Sequence, residues 1–161
     1  MRLNNEKTSF GRHETFALRY SWLTKGFQAI SDENFDITDA DNATVRLGVG
    51  KNMVSAIRYW LRACQMMEQH TIAPSKLGKL ILAGDGYDPY LEDEATIWLI
   101  HWLLASNSEQ ATAWFWFFNK FHRPEFTGQE LQSALSDFLK ETIIKGKRPA
   151  ANTLKSDTAL I

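Results

Sequence analysis

Residues 45–63, VRLGVGKNMVSAIRYWLRA, place Gly48, Gly50 and Lys51 ahead of an amphipathic run, and two readings compete: a phosphate-binding loop, or a helix that itself meets nucleic acid. A Walker loop needs a glycine separated by four residues from its Gly-Lys pair, so that backbone N–H groups can curl around a phosphate. It also needs a Ser or Thr after the lysine to hold Mg²⁺. Val45 and Asn52 occupy those two positions. The nucleotide-loop pattern fails at both, and the helix becomes the informative element.

At 3.6 residues per turn, Met53, Val54, Ile57, Trp60, Leu61, Cys64 and Met67 share one face, while Lys51, Ser55, Arg58 and Arg62 form an i, i+4, i+7, i+11 stripe on another. Between Ala43 and Met67 there are basic residues (Arg46, Lys51, Arg58, Arg62) and no acid, in a chain whose net charge is −1. Residues 41–47 form a short preceding helix capped by Asp41 or Asn42, and Gly48 to Gly50 make the turn. Helix, Gly-containing turn and basic helix is the helix-turn-helix pattern, whose second helix enters the major groove with its N-terminal side chains toward base edges. Lys51, Asn52 and Ser55 sit at that end; Arg58, Tyr59 and Arg62 lie further along, placed for phosphates. The bland alternative is a core helix with a solvated basic face.

With 161 residues and 44% hydrophobic content, the chain can bury a real core as one domain or two small ones. A pI near 6.4 excludes a wholesale polyanion binder, so any nucleic-acid contact is local. The single cysteine, Cys64, precludes an internal disulfide and fits a reducing cytoplasm. The N-terminus lacks an apolar signal core, and the longest apolar run, ATIWLIHWLLA, is far short of the roughly 20 residues that span a bilayer.

Phe16, Tyr20, Leu23, Phe27 and Ile30 predict a helix from about His13 to Ile30, slightly weakened by Gly26. An acidic loop, Asp32 to Asp41, follows. Two short strands on either side of Pro74 and Ser75, the second in KLGKLIL, would form a small β-hairpin wing flanked by Lys76 and Lys79. Asp93 caps a helix from Glu94 to Ala105 that is apolar on nearly every side and is expected to be the central buried element. Ser106 to Glu109 resembles a capping box before WFWFF, residues 114–118. Trp98, Trp102, Trp114 and Trp116 are assigned to a core or to a contact between halves, because no Lys or Arg occurs from Leu80 to Asn119. Thr127 to Glu130 is a second capping box; Leu131, Leu135, Phe138 and Leu139 continue that helix, IIKGKRPA ends it, and Asn152 caps TLKSDTALI. The expected class is mainly α: a winged-helix unit with a β-hairpin wing over residues 1–122, and the start of a second helix-turn-helix-like, winged-helix-like unit over 123–161. Because the apolar pattern runs to Ile161 without a cap, the chain is expected to be the N-terminal part of a longer protein or a gene product cut short.

FGRHETFALRYSWLTKGF, VRLGVGKNMVSAIRYW, LGKLIL, DPYLEDEATIWLIHWLL and NTLKSD together resemble the bacterial domain-of-unknown-function family 4007, in consistent order over nearly the whole chain. The resemblance implies a role beside PAPS-reductase-like proteins in DNA phosphorothioation, since the B component of the Ssp system, a DNA-nicking protein, is similar. It maps no catalytic motif onto these residues.

A nuclease usually converges two or more carboxylates on Mg²⁺, often with a nearby cation. Asp85, Asp88, Glu92, Asp93 and Glu94 are the dense acidic cluster, with Tyr87 and Tyr90 nearby, yet no Lys or Arg lies beside them, which favours a turn plus a helix N-terminus over a metal site. His13 and Glu14 point about 100° apart on a helix and form no simple acid-base pair; the histidines have no zinc spacing. Three function classes remain: a module binding double-stranded DNA, without cofactor or membrane partner, in phosphorothioation or defence; a Mg²⁺-dependent nicking nuclease of the same system; and an adaptor docking through Trp114 to Phe118. Binding rather than cutting is expected of this chain alone.

Overall fold

The computed structural model describes residue 3, residues 7–142 and residues 148–161; the stop expected in IIKGKRPA falls largely outside them. The described residues are mainly helical, and they group into two units: Arg12–Leu103, and Met1–Gly11 with Leu104–Ile161. That division falls within a helix.

The first unit begins with α1 (Tyr20–Ser31), α2 (Ala40–Leu47) and α3 (Lys51–Ala63). α3 buries Val54, Ile57, Trp60 and Leu61 as the periodicity requires, and both α1 and α2 pack on it. Gly26 permits the α1–α3 approach: a Cβ there would lie 2.6 Å from Ile57 Cγ2 and 2.9 Å from Leu61 Cδ1. The residue that lowers helix propensity is thus the one that lets two helices close on each other.

α1 starts at Tyr20, not at His13. Glu14 and Thr15 have φ of 51° and 66°, and the Phe16 N–H donates to the His13 carbonyl at 2.8 Å, so residues 13–16 are a tight turn that no right-handed helix can pass through. Packing holds this turn. The His13 ring is fully buried 6.1 Å from Tyr59 and 6.2 Å from Trp60, and the Trp60 indole N–H donates to the Phe16 carbonyl at 3.0 Å.

The expected wing is absent. KLGKLIL forms helix α4 (Lys76–Leu82), and the β pairing among the described residues is one isolated bridge, Met67 to Pro74. Two local causes decide for the helix. Ser75 caps it, accepting from the Gly78 N–H at 2.8 Å while its hydroxyl donates to the Gln65 carbonyl at 2.6 Å. Gly78 then presses its bare backbone against the Met66 carbonyl, with Phe27 Cε2 only 2.8 Å from where a Cβ would stand. Lys76 and Lys79 consequently lie on a helix.

α5 (Glu94–Ser106) runs as expected, with Asp93 accepting from the Ala95 N–H at 2.8 Å. It is not the central buried element: Ile100, Leu103 and Leu104 are buried, but Trp98 and Trp102 are 69% and 57% exposed.

In the second unit, α6 (Thr112–Lys120) buries Trp114, Phe115 and Trp116. It begins later than the Ser106–Glu109 box implies, because the Asn107 side chain caps a separate turn by accepting from the Gln110 N–H. α7 (Gly128–Thr142) opens on the expected box: Glu130 accepts from the Thr127 N–H at 2.7 Å, and Thr127 Oγ1 accepts from the Glu130 N–H at 3.3 Å. α7 packs on α8 (Ala151–Thr158). Asn152 lies inside α8 rather than capping it, since Ala150 is the N-cap. Phe117, Phe121 and Phe126 cluster with centroids 5.1–5.7 Å apart. Asp157 of NTLKSD, fully buried, accepts from the Gly11 N–H at 2.9 Å and so fastens the N-terminal segment to α8. Among the described residues no helix is long and apolar enough to cross a membrane.

Candidate nucleic-acid interface

Asp39 caps α2, accepting from the Asn42 N–H at 3.3 Å and from the Asn42 side-chain amide at 2.6 Å; Asp41 and Asn42, the caps expected from sequence, lie within the helix. α2 ends at Gly48, whose φ of 64° is left-handed, and the Val49 N–H returns to the Thr44 carbonyl at 3.2 Å. Gly50 then starts α3 with no side-chain cap. Helix, glycine turn and second helix are therefore present as a local unit, and the N-terminus of α3 stands open: Lys51, Asn52 and Ser55 are exposed.

Lys51 is not a free cation. Its Nζ lies 2.8 Å from the Asp41 carboxylate, and this hydrogen-bonded pair raises the lysine and lowers the aspartate from their ordinary values. Arg46 is more fully engaged: it pairs with Asp32 at 2.7 Å and lies over the Phe35 ring at 4.7 Å. The acidic loop thus folds against the basic segment beside it. Sequence reasoning counted the charges of the segment and missed this pairing, although the signal was there in two adjoining blocks of opposite sign.

Arg58 and Arg62 differ. Both are half-buried, their Nε atoms are wholly buried, and neither Nε has a hydrogen-bond partner among the described residues. Burial lowers the Arg62 pKa, and the neighbouring Arg58 charge lowers it further. The Asp36 carboxylate accepts from the Thr38 hydroxyl at 2.7 Å and the Thr38 N–H at 2.8 Å, and these bonds, with a smaller contribution from the Arg58 charge, hold it below its usual value. Tyr59, placed with these residues by sequence, is on the opposite side: it is 8% exposed and its ring is 4.9 Å from that of Trp60. One residue from Arg58 is about 100° around the helix, which carries Tyr59 to the buried face.

The acidic cluster does not form a metal centre. Asp88 is buried, and its two carboxylate oxygens accept from the Glu92 N–H at 2.9 Å and the Asp93 N–H at 3.0 Å. Burial pushes this carboxyl up, but hydrogen bonds from the Glu92 and Asp93 N–H groups, the Thr96 hydroxyl and the Leu91 N–H outweigh it and hold the group below its usual value. Asp88 is a staple for the turn before α5. Among the described residues no three His, Cys, Asp or Glu side chains converge to hold a metal ion. Cys64 is buried and its thiol is pushed up to about 12, so it packs as a small hydrophobe. Of the Trp114 to Phe118 run, Trp114, Phe115 and Trp116 are buried, Phe117 is half-buried and Phe118 is exposed.

The family model for proteins of unknown function DUF4007 matches residues 10–161. The chain belongs to the DUF4007 family. Two solved structures are similar to this DUF4007 chain: "Magnesium ion-bound SspB crystal structure", at 31% identity and a TM-score of 0.82, covering 98% of this chain and 50% of that one, and "SspB crystal structure", at 32% identity and 0.82, covering 97% and 50%. The DUF4007 chain spans half the length of these SspB chains. No curated protein shows significant similarity to it.

Proposed function

We propose that this chain is a duplex-DNA-binding part of a bacterial DNA phosphorothioation or defence system, acting through α3. The observation that carries the reading is a helix–glycine turn–helix unit that leaves Lys51, Asn52 and Ser55 exposed and follows them, along the same helix, with two arginines that have no ion pair among the described residues. Lys51, Arg58 and Arg62 meet phosphates, and Asn52 and Ser55 are in position for base edges. Lys76 and Lys79, on α4, supply additional backbone contacts. The likeness to SspB supports the system, with PAPS-reductase-like proteins as companions; the cytoplasm is the corresponding compartment.

No three His, Cys, Asp or Glu side chains among the described residues converge to take a magnesium ion such as that of the magnesium ion-bound SspB structure, and each oxygen of the buried Asp88 already accepts from an N–H group. No cutting step is therefore assigned to this chain.

The test is fluorescence anisotropy with a short duplex over a salt series. Binding should weaken log-linearly with salt, and Lys51→Ala should lower the slope by roughly one unit, the loss of about one phosphate contact. Absence of duplex binding at low salt, or binding indifferent to salt and to Lys51→Ala, overturns the reading.

A further inference from the structure

Arg58 and Arg62 stand one turn apart on α3, which brings like charges to neighbouring positions. Each residue is half-buried while its Nε atom is wholly buried and lacks an acceptor among the described residues. Three unfavourable terms coincide here: repulsion between the cations, desolvation of charge, and unsatisfied donors. A carboxylate would normally relieve all three. None pairs with either guanidinium among the described residues: Asp32 is held by Arg46, Asp41 by Lys51, and Asp36, whose charge is felt by Arg58 only at a distance, has its oxygens on Thr38. The depressed Arg62 pKa has the same origin, burial first and the Arg58 charge second.

We infer that Arg58 and Arg62 form a single oxyanion subsite, which takes one phosphodiester group between two guanidinium forks. The inference rests on the DNA reading for the source of the phosphate and deepens it, by separating this subsite from Lys51 and by giving it a conformational step. Because the Nε atoms have no solvent exposure in the free chain, the Nε–H and Nη–H edge that grips an oxyanion in parallel becomes available only when the side chain turns outward. Turning out also ends the unsatisfied burial. The free protein therefore keeps the pair stowed, and an arriving phosphate draws both arginines into place. A lysine cannot substitute here: it keeps the charge but has no fork.

The experiment follows the arginine ¹⁵Nε–¹Hε resonances of the full chain, assigned by Arg58→Lys and Arg62→Lys, while a short duplex is titrated in one arm. Inorganic phosphate is titrated in the other, against chloride at matched ionic strength. Both resonances should shift in both arms, and Arg58→Lys should weaken duplex binding about ten-fold despite its retained charge. If the duplex binds and responds to Lys51→Ala while both resonances stay fixed and Arg58→Lys binds like the wild type, the subsite is wrong and the DNA reading stands. If phosphate shifts both resonances but no duplex binds, the subsite stands and the DNA reading falls. If neither phosphate nor duplex moves the resonances, the pair is not an oxyanion site.

Discussion

Asp88 and the Arg58–Arg62 pair look alike in the sequence, each belonging to a run of one charge sign with no counter-charge beside it. In the structure they are opposites. Both oxygens of Asp88 are occupied by backbone donors, whereas the buried Nε atoms of the arginines have no partner among the described residues. A charged side chain whose hydrogen-bonding capacity is met by its own turn is holding the fold. One whose capacity is unmet is costing stability, and a ligand that meets it is the natural reason for its presence. The distinction lies in satisfaction, not in the density of charge along the chain.

The largest effect expected from this contrast is at Asp88. Asp88→Ala strands the Glu92 and Asp93 N–H groups at the start of α5 and should cost about 2 kcal/mol in chemical denaturation. Because the folded-state pKa lies below the usual 3.8, the contribution is complete above that pH and is lost as pH falls through the lower folded value. The gap between wild type and Asp88→Ala should accordingly narrow below about pH 4. A variant as stable as the wild type at pH 7 would return Asp88 to the list of free carboxylates and reopen the metal-centre reading.

At the arginines the sign should reverse. Arg62→Met keeps the apolar stem and removes a desolvated cation with an unsatisfied donor, so stability should hold or rise by up to about 1 kcal/mol. Duplex affinity should fall in the same variant. A clear loss of stability would mean that the guanidinium is a structural member like Asp88, and the contrast between the two regions would collapse.

How much of this was legible in advance follows the same logic. The α3 core face was readable because an amphipathic helix prints its buried side as a 3.6-residue period, and the α7 cap was readable because a capping box is a contact between residues three apart. The family blocks were readable too. The exposure of Trp98 and Trp102 was not, since a helix that is apolar all round gives no phase from which to choose a buried side. KLGKLIL was misjudged as a strand because its fate depends on Gly78 meeting Met66 and Phe27, contacts that local pattern does not encode. The start of α1 was missed for a related reason: two non-glycine residues in left-handed conformations are locally unfavourable and persist because His13 is packed against Tyr59 and Trp60. At the candidate site, the residue types were visible, but which cations were already paired was not.

The smallest effect expected is at Asp41, and it probes the middle case between a satisfied and an unsatisfied charge. Lys51 and Asp41 are both exposed, so their 2.8 Å pair is screened by water and salt and should contribute little to the fold. For a phosphate the same pair matters more, because the carboxylate competes for the lysine and repels the incoming charge. Asp41→Asn should leave the unfolding midpoint unchanged within error and strengthen duplex binding about two-fold at low salt, with the gain disappearing as salt rises. A loss of binding instead would show that Asp41 aims Lys51 at the DNA rather than restraining it, and would move the lysine from the paired class into the positioned one.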